Sequence, residues 1–291
     1  MTSQTEALSA EEKNVHRFIT QASDINSISA QEAGSRAYMP RSLVLATLPH
    51  SKRQDPFFVR KNGNFSLALM AHPDIGLPYG SLPRLLIAFL TTEAVRTNSR
   101  DIELGKSLSD FLTKLKETPN GGPGGGITRV KEQMRRLFST RISCTYTNKN
   151  LVSGTNLDIV DSYDLWWHPT SPDQSSLFKS HVCLNEGFFK EVTQRPVPID
   201  MRALMALKKS PLEVDIYCWL TYRMSYLERT IVISWQDLQI QIGSSYARMR
   251  DFKAKFIQHL NRVLAVYPSA RVRAVKNGLE LKPSLTHIPK R

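Results

Sequence analysis

Residues 234–282 read SWQDLQIQIGSSYARMRDFKAKFIQHLNRVLAVYPSARVRAVKNGLELK, and the rest of the chain is understood from this stretch. Ser234 is placed to cap a helix, with Asp237 three positions on to answer it. Leu238, Ile240 and Ile242 give that short helix its apolar surface, and Gly243 lets the chain turn at low steric cost. From about Tyr246, the residues Met249, Phe252, Phe256, Leu260 and Val263 recur at three- and four-residue steps, so one stripe of a long helix faces a core. At about 100° per residue, Arg248, Arg250, Asp251, Ala254 and Lys255 fall on the opposite side, while Lys253 lands nearer the apolar stripe and is discounted as a contact. Pro268 ends the helix. Residues 271–275 and 279–281 then alternate at period two around Lys276-Asn277-Gly278, the pattern of a β-hairpin. With a helix at 210–221 and a strand at 231–233 ahead of it, the order is that of a winged helix-turn-helix.

Such a unit sets the N-terminal end of its second helix in the major groove and lays a basic hairpin along the backbone. A merely solvated basic face is the bland alternative, and the distribution of charge argues against it. Residues 201–291 hold 16 Lys/Arg against 6 Asp/Glu, a net of +10, out of +13 for all 291 residues. The excess sits where the reading helix is, which points to duplex DNA.

The totals bound the rest. A length of 291 residues with 41% hydrophobic content supports two domains with proper cores. The longest apolar run, 85–90, falls far short of the ~18 residues of a membrane span. The N-terminus MTSQTEALSAEEK is polar and acidic, unlike a secretion signal. Cys144, Cys183 and Cys218 are odd in number and widely spaced, which suits a reducing cytosol and no disulfide framework.

A second copy of the same order lies upstream. Residues 81–91 (SLPRLLIAFLT) parallel 210–221 (SPLEVDIYCWLT), and each helix is followed by a short apolar strand, at 102–104 and 231–233. Each strand leads into a short helix, near Ser107 and near Trp235, and then into a basic helix, at 128–138 in the first copy. The spacing predicts a wing for the first copy made of 142–146 and 157–167. Its turn, 120–126 (NGGPGGG), is looser than the second copy's, and Asp158, Asp161 and Asp164 on its hairpin would repel phosphate. The first unit is therefore expected to be the weaker reader and to serve in dimerisation. A further hairpin is expected over 57–70, turning on Asn62-Gly63.

The organisation expected is an α+β protein of two tandem winged-helix domains with an N-terminal β-rich extension. Residues 1–35 are expected as a flexible arm, with a short helix around 11–20 as the alternative, 36–194 as the N-terminal winged-helix domain with its β-hairpin extension, and 195–291 as the C-terminal DNA-binding domain, with a hinge at 195–198. An enzyme is not expected. The histidines show no metal spacing, and the glycine run at 121–126 lacks the Gly-Lys-Ser/Thr ending of a phosphate-binding loop. Cys144 sits in a predicted strand, where a buried thiol is commoner than a nucleophile. Trp166 and Trp167 on a strand are more often core than base-stacking platforms. Asp251 has two readings, an acceptor from a cytosine amino group or an intrahelical partner of Lys255. No cofactor and no metal are expected.

The segments PHSKRQDPFFVRKNGNFSLALMAHPDIGLPYGSLPRLLIAFLTTEAVR (49–96), IELGKSLSDFL (102–112), ITRVKEQMRRLFS (127–139) and VPIDMRALMALKKSPLEVDIYCWLTYR (197–223) resemble the plasmid-encoded RepA-type replication initiators. The resemblance spans roughly residues 36–285. It implies binding to repeated sequences, the iterons, at a plasmid origin, help in melting the adjacent DNA, and recruitment of the host initiator and replicative helicase, with a homodimer as one form. It also implies that the C-terminal winged helix makes the main base contacts. The candidate DNA-binding residues are Ser244, Ser245, Tyr246, Arg248, Arg250 and Lys255 in the reading segment and Arg271, Arg273 and Lys276 in the wing. Arg129, Lys131, Arg135 and Arg136 join them from the first unit. The alternatives are a transcriptional repressor with the same parts and, in another class, a protein-interaction adaptor. Cytoplasmic residence is expected.

Overall fold

The computed structural model describes residues 9–289 apart from 106, 116, 118, 119, 121, 123, 166–179, 244 and 245. Its first half runs α1 (Ala10–Ser27), β1 (Arg36–Met39), α2 (Arg41–Leu45), β2 (Phe57–Asn62), β3 (Phe65–Met70), α3 (Ser81–Thr97), β4 (Asp101–Gly105), α4 (Leu108–Lys114), α5 (Gly126–Phe138), β5 (Arg141–Thr147), β6 (Val152–Asn156), β7 (Val160–Asp164) and β8 (Ser180–Leu184). After α6 (Glu186–Gln194) come β9 (Val197–Asp200), α7 (Met201–Leu207), α8 (Pro211–Met224), β10 (Ile231–Ser234), α9 (Trp235–Gln241), α10 (Met249–Val266), β11 (Val272–Val275) and β12 (Gly278–Leu281).

The duplication is larger than the sequence suggested. The order β1–α2–α3–β4–α4–α5–β7–β8 recurs as β9–α7–α8–β10–α9–α10–β11–β12, and the two wing sheets share one strand order, β4-β8-β7 and β10-β12-β11. The equivalent strands β1 and β9 pair antiparallel, Arg36 opposite Asp200 and Met39 opposite Val197, as a local two-fold would place them. Local chemistry sets the helix starts: Ser107, Ser210 and Ser234 each accept a backbone N–H of the following turn, and Pro211 opens α8 where no donor is needed. The α+β architecture of two winged-helix units therefore stands.

The first unit carries two insertions, the hairpin β2–β3 and the hairpin β5–β6, and they join in a single sheet of order β2-β3-β5-β6. The expected β2–β3 hairpin is present, with Gly63 at φ 54 in its turn. The expected wing over 142–146 and 157–167 is corrected. Residues 141–147 pair with β3 and β6, and the wing is β7 with β8. Alternation alone could not tell which strand takes which partner. The second wing forms where predicted, but Gly278 answers a different need. A Cβ there would lie 2.0 Å from the carbonyl oxygen of Ile233, so glycine permits β10 to approach β12.

Two further expectations are corrected. Most of the supposed mobile arm is helix α1, held by a capping box between Ser9 and Glu12 and docked on α7 and α10 through Phe18, Ala22 and Ile25. Asn26 donates to the carbonyl of Ala265 at 3.0 Å, and the Arg262 guanidinium lies 3.9 Å from the Phe18 ring centre. Its apolar stripe is thus buried, which fixes a segment that composition marks as polar. The supposed hinge at 195–198 runs into strand β9, whose pairing with β1 ties the two halves together.

The units also meet through charge. Arg84 on α3 forms a two-pronged pair with Asp215 on α8, at 2.6 and 2.7 Å, with both side chains buried. The same guanidinium donates to the carbonyls of Gly80, Leu48 and Pro49, and His50 Nε2 lies 2.7 Å from Asp215 Oδ2. Burial pushes the Asp215 carboxyl up, but the Arg84 charge and the His50 bond outweigh it, and the net shift is downward. For His50, burial dominates and lowers its affinity for a proton in spite of Asp215.

Arg84→Ala should destabilise the protein by about 3–5 kcal/mol in urea unfolding, because the buried Asp215 loses its cationic partner and keeps only the His50 bond. The double variant Arg84→Met/Asp215→Leu should recover most of that loss, and an equal loss in both would refute the pairing argument. Stability should also decline as pH falls below 6.5, the ordinary histidine value, since the unfolded chain takes up a proton that folded His50 resists. His50→Gln should make stability less dependent on pH in that range.

Candidate nucleic-acid interface

Helix α10 buries Phe252, Phe256, Leu260, Val263 and Val266 and turns Arg250, Ala254, Lys255, Gln258 and Asn261 outward. Packing of Trp235 against Phe256, ring centres 5.9 Å apart, seats α9 across it. The helix begins at Met249 rather than near Tyr246, with Arg248 in the extended capping position. Lys253 leans over the Trp235 ring at 5.1 Å, in keeping with its position beside the apolar stripe.

Arg248 and Arg250 are exposed at the start of α10, and both lean toward Asp251, at 2.7 and 3.7 Å. Asp251 is thus paired to these arginines and not to Lys255, which reaches Gln258 at 3.2 Å. Exposed pairs of this kind are worth at most about 1 kcal/mol, so a phosphate can displace the carboxylate. Tyr246 is half-buried, its ring 5.6 Å from that of Phe252 and its carbonyl accepting from Gln239 at 3.1 Å. It packs more than it projects. Ser244 and Ser245 lie outside the described residues. On the wing, Arg271, Arg273 and Lys276 are all exposed. Arg273 meets Glu280 at 3.0 Å, while Arg271 and Lys276 have no carboxylate partner among the described residues.

The first unit presents less. Arg135 is exposed and Lys131 half-buried on the outer side of α5, whereas Arg129 is exposed but held by Glu117 at 3.4 Å. Arg136 is corrected from its expected role. It is only 8% exposed, bridges Glu132 at 2.8 Å, donates to the Leu77 carbonyl at 3.2 Å and lies 5.4 Å over the Tyr79 ring. It has no free face for a duplex. Of the three aspartates expected on the wing, Asp158 instead accepts from the backbone of Ile142 and pairs with Arg141, and Asp161 pairs with Arg100. Asp164 lies 3.4 Å from His181. Trp166 and Trp167 lie outside the described residues. Burial raises the Cys144 thiol to about 12, which disfavours its thiolate at neutral pH.

Sequence reasoning missed Gln258 and Asn261, which extend the outer face of α10. Their amides suit adenine edges, and the signal was available from the same helical count.

Residues 77–237, more than half of the chain, match the family model described as plasmid encoded RepA protein. The chain belongs to that family. Its members are plasmid replication initiators. The matched segment of this RepA family member runs from the loop before α3 into α9, so α10 and the second wing follow it. Two solved structures are similar. One, of selenomethionine derivatives of domains 2 and 3 of RctB, has a TM-score of 0.55 at 12% identity, over 84% of this chain and 98% of that one. The other, RctB domains 2-3 (residues 155–483 in that protein's own numbering), has a TM-score of 0.51 at 13% identity, over 83% and 96%. At such identities the likeness speaks for the fold. A search among curated proteins finds no sequence match. Among the described residues no helix is long and apolar enough to cross a membrane, and no group of three His, Cys, Asp or Glu side chains is placed to hold a metal ion.

The contrast between neighbours on α5 is testable. Arg136→Ala should lower the thermal midpoint by several degrees with little change in the salt dependence of DNA binding. Arg135→Ala should leave the midpoint in place and reduce affinity for any duplex. The reverse pattern would mean that the two side chains have exchanged roles.

Proposed function

We propose that this plasmid replication initiator binds repeated duplex sequences at its origin, and that the C-terminal winged helix chooses the site. Arg248, Arg250 and Lys255 read or approach bases from α10, and Arg271, Arg273 and Lys276 hold the backbone from the wing. Lys131 and Arg135, with Arg129 once released from Glu117, add phosphate contacts from the first unit. The observation that carries this reading is the coincidence of an outward cationic face on α10 with a cationic wing in one unit, which holds most of the chain's positive excess. The protein acts by binding alone, without catalysis or cofactor. It helps open the adjacent DNA, recruits the host initiator and helicase, and works in the cytoplasm, with a homodimer as one of its forms.

Binding titrations on a duplex selected by the wild-type protein from a random-sequence pool test the assignment. Arg250→Ala should cost ~1–3 kcal/mol on that duplex and relax its sequence preference, whereas Lys276→Ala should weaken all duplexes and reduce the salt slope by about one. Uniform weakening by both, with preference intact, would remove base reading from α10. Transformation of a polymerase-deficient strain with a plasmid bearing the gene and its flanking DNA tests initiation itself.

A further inference from the structure

The turn between α9 and α10 is not held by its own unit alone. Arg60, on β2 of the first unit's inserted sheet, extends its guanidinium to the end of α9 and donates through Nη1 to the carbonyl of Gly243 and, at 3.4 Å, to that of Ile240. It is 9% exposed and its Cζ lies 4.9 Å from the Phe58 ring centre, so the side chain has a fixed path to the turn. Strand β2 packs along α9, which brings the two units together at this point.

Gly243 is fitted to that contact. A Cβ there would lie 2.5 Å from the Gln239 carbonyl oxygen and 2.9 Å from Gln239 Cα, so the backbone of the turn lies directly against α9. Its N–H donates back to Leu238 and Gln239, leaving the carbonyl to point at Arg60. Three residues on, Gln239 donates to the carbonyl of Tyr246. Ahead of the outward arginines, the Tyr246 carbonyl is thus held from within the unit and the Gly243 carbonyl from outside it. The first unit's turn has a different closure, from its own Asn120, whose side chain and carbonyl accept from Gly126 and Ile127.

We infer that Arg60 is a positioning residue for DNA reading: it sets where the turn delivers Arg248 and Arg250, and through it the inserted sheet is coupled to sequence choice. The inference rests on α10 being the reading helix. Burial lowers Arg60 to about 10, which still leaves it cationic at neutral pH. A charged donor serving the carbonyl of Ile240 in the last turn of α9 and that of Gly243 just beyond its cap fits such a task, because carbonyls at a helix C-terminus lack partners within the helix. Nothing in Arg60 itself reaches toward a groove, so its loss should alter selection more than attraction.

The test compares wild type, Arg60→Met and Arg60→Lys in the full chain. Each is titrated with the pool-selected duplex and with a scrambled duplex of the same composition, and amide hydrogen exchange is followed over residues 239–250. Arg60→Met should lower the selected-to-scrambled affinity ratio about tenfold or more, a change comparable to losing a charged hydrogen bond. Its salt slope should match wild type, and exchange should speed up in the turn while α3 and α8 stay protected. Arg60→Lys should restore part of the ratio. An unchanged ratio with unchanged exchange would overturn the inference, as would parallel loss on both duplexes accompanied by faster exchange throughout. If wild type itself fails to distinguish the duplexes while Arg60→Met still frees the turn, the positioning contact stands and the DNA-reading function falls.

Discussion

One guanidinium and one carboxylate, taken out of water and laid against each other between α3 and α8, fix how the two winged helices face. A buried ion pair contributes little net stability compared with a well-packed apolar replacement, but losing one partner is costly. Its value is therefore directional. Arg84 is satisfied only when Asp215, Gly80, Leu48 and Pro49 all present oxygens to it, and His50 occupies the carboxylate's remaining side. Elements 131 positions apart in sequence thus share one arrangement. The antiparallel pairing of β1 with β9 supports the same arrangement.

Around that joint the two copies have diverged in ways that physical chemistry explains. The first copy accepted two hairpins that would each have been weak alone, and their pairing gives a four-stranded sheet with a partly buried face. That sheet reaches the second copy's turn through Arg60. The second copy keeps close to the minimal module and carries exposed positive charge on α10 and its wing. The first copy's wing strands carry Asp161 and Asp164, and one of its helix arginines, Arg136, is drawn into the core. The two copies thus differ both in how much positive charge they hold and in where it points.

Much of this was legible in the sequence because it is local. The Ser234 cap, the apolar spacing from Met249 to Val263 and the Lys276-Asn277-Gly278 turn each settle within a few residues, and so does the outward side of α10. What was not legible depends on partners far along the chain. Whether 142–146 is a wing strand or a neighbour of β3 is a question of pairing that alternation leaves open. The arm could be recognised as a docked helix only by knowing that α7 and α10 offer a groove for Phe18, Ala22 and Ile25. Arg136 and Arg129 look alike in sequence, and only the positions of Leu77, Tyr79 and Glu117 separate them. Arg60 left a faint trace, as a cation at an inward position of the alternating run 57–62.

The account turns on which helix enters the groove. Ala254 lies exposed in the middle of the outer face of α10, and Thr128 lies exposed on α5. An iron chelate attached to Ala254→Cys, in a chain with Cys183→Ser, would cut the bound selected duplex locally. The account predicts sharp cleavage at the centre of the protected site from position 254, and only weak, flanking cleavage from a chelate at Thr128→Cys. Central cleavage from 128 with none from 254 would contradict it.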